Sequence, residues 1–279
     1  MNAEVHFSRR RCAVIGSPVV HSLSPALHCA AYRSLGLPWD YGAHDVSVDQ
    51  LPGFVGSLSP QWRGLSVTMP LKRSVVALCD WLEPMAVEVA AVNTVVFEAD
   101  GTRRGYNTDI TGFGQALRGH GLATVESAVV VGAGATAASA LAALRHLGAD
   151  SVTVLGRSAE RASALEEVGR RLAIAVRVCT FESLGSVPPA GVVISTIPAA
   201  AQQLYADRLA SLAPVVFDVI YAPWQTPLLR AAEAAGREII RGFELLLHQA
   251  GRQVELMTGV AAAPLDDMRV AGLAAVRQL

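Results

Sequence analysis

Lysine is nearly missing from this chain. Of 23 basic residues, 22 are arginine, and Lys72 is the single lysine. Arginine replaces lysine freely on solvated surfaces, but guanidinium does not titrate in proteins, so a lone amine is expected where a proton must be lost and regained. A codon bias toward arginine accounts for the same count, and the neighbours of Lys72 have to decide between the two. Other shortages exclude whole classes. The four cysteines, Cys12, Cys29, Cys79 and Cys179, contain no C-x-x-C pair, so neither a zinc site nor a disulfide framework is indicated and a reducing cytoplasm fits. A formal net charge of −1 leaves no electrostatic footprint for nucleic acid or an anionic membrane surface. No internal repeat, low-complexity linker or long charge run is found.

Two stretches imitate membrane or export signals. Ser8-Arg9-Arg10-Arg11 precedes the apolar residues Cys12–Ile15, but that run ends at Gly16-Ser17-Pro18, too soon for a signal sequence. Residues 127–144 carry no charge and approach the length of a membrane span, yet are rich in Gly, Ala, Ser and Thr. Cytoplasmic location is the expectation, with no membrane partner.

The same uncharged stretch organises the chain. Val129-Val130-Val131 reads as a strand buried on both faces, followed at once by Gly132-Ala133-Gly134-Ala135. Glycines there permit a tight turn that brings backbone N–H groups close to a pyrophosphate. A helix is expected over Ala137–Leu147, with Leu141, Leu144 and Leu147 at helical spacing, and a second strand over Ser151–Leu155. The helix N-terminus then faces the glycine loop, as a dinucleotide-binding βαβ unit requires. At 279 residues the chain has room for a second domain.

Ahead of the fingerprint, Cys12–Ile15 reads as a strand and Leu27–Leu35 as a helix. For that helix Ser24 is the expected N-cap, Pro25 the first helical residue and Gly36 the stop. Ser22 has no capping role in this reading, and two hydroxyls beside a helix start can hold a carboxylate. Strands are expected around Tyr41–Val46 and over Gly64–Thr68, the latter running into Met69-Pro70-Leu71-Lys72 and a helix to about Cys79. Lys72 then sits one turn into a helix beyond a strand's carboxyl end, where open α/β sheets bind ligands. A hairpin is expected around Ala99-Asp100-Gly101. Asp109 follows it and reads either as a cap for a helix from Ile110 or as a functional carboxylate. Beyond the fingerprint, strands at Ala175–Cys179, Val192–Ser195, Val215–Asp218 and Glu238–Ile240 alternate with helices such as Ala159–Leu172 and Pro227–Ala235. That alternation implies a doubly wound parallel sheet.

Together the elements His21-Ser22-Leu23-Ser24-Pro25, Ser66 to Lys72, Ala91 to Thr94 and Gly105 to Asp109, all ahead of the glycine fingerprint, resemble the shikimate dehydrogenase family. The resemblance continues through Asp218 to Pro223 and Gly242 to Gln249, so it spans nearly the whole chain. It implies an α/β substrate domain over residues 1–112, completed by helices in 243–279, a Rossmann NADP-binding domain over 113–242, and a site in the cleft between them. It also implies hydride transfer that interconverts shikimate and 3-dehydroshikimate in chorismate biosynthesis, with that small molecule as the partner. By the same resemblance Lys72 and Asp109 are the catalytic pair. Ser22 and Ser24 hold the substrate carboxylate with Tyr221 nearby, while Thr68, Asn93 and Gln249 meet ring hydroxyls. The cofactor falls to Gly132, Ala133, Gly134, Ala135, Thr196, Pro198, Ile220 and Gly242. Ser66 stands where the family usually has Asn, and Leu245 where Met is common.

Cofactor choice is read at the end of the second nucleotide-binding strand. No acid stands there to take the ribose hydroxyls of NAD; Gly156 is followed by Arg157 and Ser158, and then Arg161. A guanidinium and a hydroxyl suit the 2′-phosphate of NADP, while two solvated arginines at a helix start are the plainer reading. His21 and His248 flank binding motifs without metal-ligand spacing and read as structural. An NAD-dependent quinate/shikimate dehydrogenase and a ligand-sensing protein on the same fold are the alternatives. Monomer and homodimer both stay open.

Overall fold

The computed structural model describes residues 9–278, apart from the side chains of Ala159 and Arg161. The chain divides into two compact units. One takes the chain up to Ala86 together with Ala90–Thr108 and Ala250–Gln278, and the other takes Val87–Val89 and Asp109–Gln249.

The first unit begins with β1 (Arg11–Gly16), α1 (Ser24–Ser34), β2 (Asp40–Asp45), α2 (Leu51–Gly56) and β3 (Trp62–Val67). It continues with β4 (Trp81–Leu82), α3 (Pro84–Val89), β5 (Thr94–Phe97) and β6 (Arg103–Tyr106). These strands form one sheet in the order β2-β1-β3-β5-β6-β4. β1 runs parallel to β2 and β3, whereas β5 is antiparallel to both β3 and β6. Buried Ile15, Leu65, Val67, Leu71, Val75 and Val95 make the core of this sheet. The expected hairpin is present: Gly101 takes a positive φ of 89°, and Asp100 accepts the backbone N–H of Thr102 at 2.9 Å.

The second unit contains α4 (Thr108–Gly119), β7 (Ser127–Val131), α5 (Ala135–His146), β8 (Ser151–Gly156), α6 (Ala159–Leu172) and β9 (Ala175–Thr180). Then come β10 (Val192–Ser195), α7 (Ala206–Ala210), β11 (Val215–Asp218), α8 (Pro227–Ala234) and β12 (Glu238–Arg241). Its six strands are all parallel, in the order β12-β11-β10-β7-β8-β9. Val130 and Val131 are 0% exposed, as expected for a central strand covered on both faces; burying each contributes about 1.5 kcal/mol or more. α9 (Gly242–Thr258) and α10 (Leu265–Val276) end the chain. α10 lies against α1, with the Ser34 hydroxyl donating to Asp267.

The helix and strand alternation of the second half is found where periodicity places it. Three local expectations differ. The N-cap of α1 is Leu23, with no side-chain capping bond, and Ser24 is already helical. Ser22 takes part instead, its hydroxyl accepting the Ser24 backbone N–H at 3.3 Å. After Pro70 the chain makes a turn and then a 3₁₀ segment, Ser74–Leu78, rather than an α-helix containing Lys72. α4 starts at Thr108, so Asp109 lies inside its first turn rather than capping it. Gly36 does close α1 as expected, with φ of 64°.

Among the described residues, no helix is long and apolar enough to cross a membrane.

Candidate active site

In the first unit the sheet topology gathers five of the expected residues at one edge. β1 and β3 are parallel, so the loops after Gly16 and Val67 leave from the same side. These loops carry Ser22, Ser24, Thr68 and Lys72, and they are tied where Ser17 N–H donates to the Met69 carbonyl at 3.0 Å. Because β5 is antiparallel to β3, with Ser66 opposite Thr94, Asn93 enters at that same edge.

Asn93 is the anchor of this edge. Only 2% exposed, it accepts at Oδ1 from Thr108 N–H at 2.8 Å and from the Thr94 hydroxyl at 2.9 Å, and its Nδ2 donates to Thr108 Oγ1 at 3.0 Å. Its carbonyl accepts Val67 N–H at 2.7 Å, and its own N–H donates to the Tyr106 carbonyl at 3.0 Å. Lys72 is joined to the neighbouring residue: Val92 N–H donates to the Lys72 carbonyl at 2.8 Å. That bond explains the absent helix, since the Lys72 carbonyl is committed to Val92 while Val76 N–H turns to Arg73 at 3.3 Å. Asp109, 4% exposed, is the residue directly after the Thr108 that Asn93 holds.

Beneath these residues lies a buried polar network that the sequence did not single out. The Tyr41 hydroxyl donates to Ser66 Oγ at 2.6 Å, and Ser66 donates to Gln253 Oε1 at 2.7 Å. Gln253, 1% exposed, passes the chain on through Nε2 to the Asn93 carbonyl at 3.2 Å and the Thr94 hydroxyl at 3.0 Å. His28 Nε2 meets Gln253 Oε1 at 3.2 Å while its ring stacks on Tyr41 at 4.0 Å. Burial holds His28 neutral, its pKa pushed down to about 3 despite the Gln253 bond. The partners of Gln253 are far away in the chain, so no local pattern marks it. The serine at position 66 thus has two hydrogen-bond partners of its own.

In the second unit the parallel sheet sends every expected cofactor loop to the carboxyl ends of its strands. The chain winds from β7 outward to β9 and then returns to β10 on the other side of β7. The strand order reverses between β7 and β10, where open α/β sheets bind ligands. There Gly132 takes φ of 118°, and a Cβ on it would overlap Thr196 Oγ1. Only glycine serves at that contact. Thr196 reaches back to the Val131 carbonyl, through Oγ1 at 2.9 Å and through its N–H at 2.8 Å, so its side chain supports the glycine turn.

Ala133, Gly134 and Ala135 follow and open the 12-residue helix α5. A Cβ on Gly134 would meet no protein atom within 4 Å, and Gly134 is exposed. Both glycines fit a dinucleotide, one by conformation and one by leaving the helix N-terminus uncovered. Arg157 is exposed and Ser158 half-buried just beyond β8; the side chain of Arg161 lies outside the described residues. Pro198 leads a 3₁₀ turn, Ala199–Ala201. Ile220 and Tyr221 follow β11, both half-buried. Gly242 opens α9, and a Cβ there would overlap the Val219 carbonyl.

Gly112, which carries no signal in the sequence, brings α4 and α9 together. A Cβ on it would stand 2.9 Å from Leu245 Cδ1 and 3.1 Å from Gln249 Cβ. Asp109 lies one turn back on the same face of α4. Gln249, 8% exposed, donates to the Leu246 carbonyl at 3.1 Å.

Among the described residues, no group of three or more His, Cys, Asp or Glu is placed to hold a metal ion, and the four cysteines are free.

Two family models match this chain: the shikimate dehydrogenase substrate binding domain over residues 14–95 and shikimate / quinate 5-dehydrogenase over residues 116–218. The chain is 35% identical over 255 residues to shikimate dehydrogenase (NADP(+)) of Thermus thermophilus, covering 91% of this chain and 94% of that one. Its structure is similar to that of Mycobacterium tuberculosis shikimate dehydrogenase, with a TM-score of 0.87 and 41% identity over 95% of this chain and 99% of that one. It is also similar to the shikimate 5-dehydrogenase of Thermus thermophilus in complex with NADP(H) and shikimate. The TM-score there is 0.80, with 32% identity over 95% of this chain and 99% of that one.

Proposed function

Since the chain belongs to the shikimate dehydrogenase family, we infer that it is an NADP-dependent oxidoreductase interconverting 3-dehydroshikimate and shikimate. In this role it serves aromatic amino-acid biosynthesis, and the small acid is its partner. When bound, the nicotinamide supplies or accepts the hydride.

The protein's own residues then have defined tasks. Lys72 and Asp109 are assigned the proton: the amine donates it to the substrate oxygen when the ketone is reduced and takes it back when the alcohol is oxidised, with the carboxylate as the second acid–base group. Ser22, Ser24 and Tyr221 are assigned the substrate carboxylate, and Thr68, Asn93 and Gln249 the ring hydroxyls. Gly132, Ala133, Gly134 and Ala135 take the pyrophosphate at the start of α5, and Arg157 with Ser158 takes the 2′-phosphate. Thr196, Pro198, Ile220 and Gly242 complete the cofactor side. Ser22, Ser24, Thr68, Lys72 and Asn93 come from the first unit, whereas Asp109, Tyr221, Gln249 and all the cofactor residues come from the second.

One observation carries the reading. In a chain with one lysine, that lysine is bound through its backbone to Val92, next to Asn93, whose amide holds the residue before Asp109. A protein that only senses its ligand has no use for this acid–base set. The testing experiment is an absorbance assay of the nicotinamide crossing shikimate and quinate with NADP and NAD. Turnover of shikimate with NADP, well above the other three combinations, is the expected result. Best turnover of quinate with NAD moves the assignment to a quinate/shikimate dehydrogenase, and binding of shikimate without turnover moves it to a sensor.

A further inference from the structure

We propose that Asp218 is a positioning residue that holds two cofactor-side loops in register, an inference that rests on the dehydrogenase reading above. Asp218 is the last residue of β11 and is 0% exposed. Its Oδ2 accepts from Thr226 Oγ1 at 2.6 Å and from Gln202 Nε2 at 2.8 Å, and its Oδ1 from Ile220 N–H at 3.3 Å. The Ser195 hydroxyl joins the cluster by accepting from the same Gln202 Nε2 at 3.4 Å.

The members of this cluster come from separate stretches of chain. Ser195 ends β10. Gln202 closes the loop that begins at Thr196, donating also to the Ile197 carbonyl at 3.3 Å and accepting Leu228 N–H at 3.2 Å. Ile220 lies in the loop after β11. Thr226 caps α8, its hydroxyl accepting Leu229 N–H at 3.2 Å. One carboxylate therefore links the loop carrying Thr196 and Pro198 to the loop carrying Ile220 and Tyr221. The second loop is gripped from its other side as well, because the start of α9 lies so close that a Cβ on Gly242 would stand 2.8 Å from the Ile220 carbonyl carbon.

Burial holds the carboxyl pKa above its ordinary value, and the surrounding donors only partly oppose that shift. A buried carboxylate is costly unless its lone pairs are filled. An apolar side chain would suit the end of a strand whose preceding residues Val215, Val216 and Phe217 are all buried, so sheet packing does not call for an acid there. The three donors show what it does instead: it fixes the directions in which both loops leave the sheet. Asp218 touches no reacting atom in this scheme and acts through the loops.

The test compares Asp218→Asn, Thr226→Val and Thr226→Ser with the unmodified protein. Asp218→Asn keeps the shape but can no longer accept at every donor. Dissociation constants for NADP⁺ and NADPH, measured by calorimetry without substrate, are expected to rise roughly tenfold, the scale of one lost hydrogen bond to a charged group. The KM for shikimate rises less than the nucleotide dissociation constants, since Tyr221 is the one assigned substrate residue on these loops and Ser22, Ser24, Thr68 and Asn93 lie in the first unit. Thr226→Val reproduces the nucleotide defect, and Thr226→Ser, which keeps the hydroxyl, restores it. Unchanged nucleotide affinity in Asp218→Asn and Thr226→Val overturns the proposal. So does a parallel loss of nucleotide affinity, shikimate KM and Tm, which marks a structural role only. If Asp218→Asn does not fold, equal nucleotide affinity in the two Thr226 variants overturns it. Failure of the unmodified protein to bind NADP overturns the dehydrogenase reading itself, and this proposal with it.

Discussion

Val92 donates its backbone N–H to the Lys72 carbonyl at 2.8 Å, a long-range bond in place of the helical bond that carbonyl would otherwise accept. The single lysine is thereby fixed against the strand entrance that carries Asn93, while its side chain stays half-buried. Its position comes from a tertiary bond, and its chemistry from being an amine.

Replacing that amine is therefore expected to remove chemistry and spare the scaffold. Lys72→Met and Lys72→Arg should both lower kcat by roughly 10² or more, the low end of a general acid–base contribution. Tm and nucleotide affinity should change little, because the Val92 bond uses only the Lys72 backbone. Near-normal kcat in the arginine variant would show that no titratable amine is needed.

Ser22 combines a local bond with its assigned contact to substrate. Ser22→Ala loses the acceptor for Ser24 N–H at the start of α1 and should lower stability by about 0.5–1 kcal/mol. It should also raise KM for shikimate by the equivalent of about 1.5 kcal/mol or more, as expected for a hydrogen bond to a carboxylate. Ser24→Ala loses no cap, and its KM effect should come without the helix penalty. Denaturant unfolding beside steady-state kinetics separates the two. An unchanged KM in both variants would reduce these serines to loop chemistry.

Arg157 is exposed beyond β8 and Glu160 stands inside α6 rather than at the strand end. Arg157→Ala should raise KM for NADP by about tenfold or more while leaving KM for NAD within about twofold, since only NADP carries the 2′-phosphate. Equal use of NADP and NAD by the unmodified protein would contradict this assignment.

His28 gives the fold an acid limit. Its pKa is about 3 in the folded chain against an ordinary value of 6.5. The unfolded chain therefore binds the extra proton in the window between these values, and stability falls as pH drops from about 6.5 toward about 3. Above that window the histidine is neutral in both states and contributes no slope. His28→Leu removes the group, and its Tm measured between about pH 7 and pH 4 should fall less steeply than that of the unmodified protein. Identical slopes would mean that His28 is not held neutral by burial.

By itself the sequence determined the parallel half of the molecule. β7, α5 and β8 are encoded in contiguous residues, where three valines, two spaced glycines and a leucine periodicity act within one short stretch. The motifs from Ser22 to Asp109 likewise named the side chains to which the function is assigned, because they stand in the order and spacing of the family they resemble. Tertiary structure decided what depends on partners distant in sequence. Asn93 holds Thr108, Gln253 joins Ser66 to Asn93, and Gly112 admits α9 against α4. It also turned the expected helix at Lys72 into a tethered turn and gave the cap-like role of Ser24 to Ser22. Local propensity ranks such conformations within about a kcal/mol, and a single long-range hydrogen bond in a buried setting is enough to choose between them.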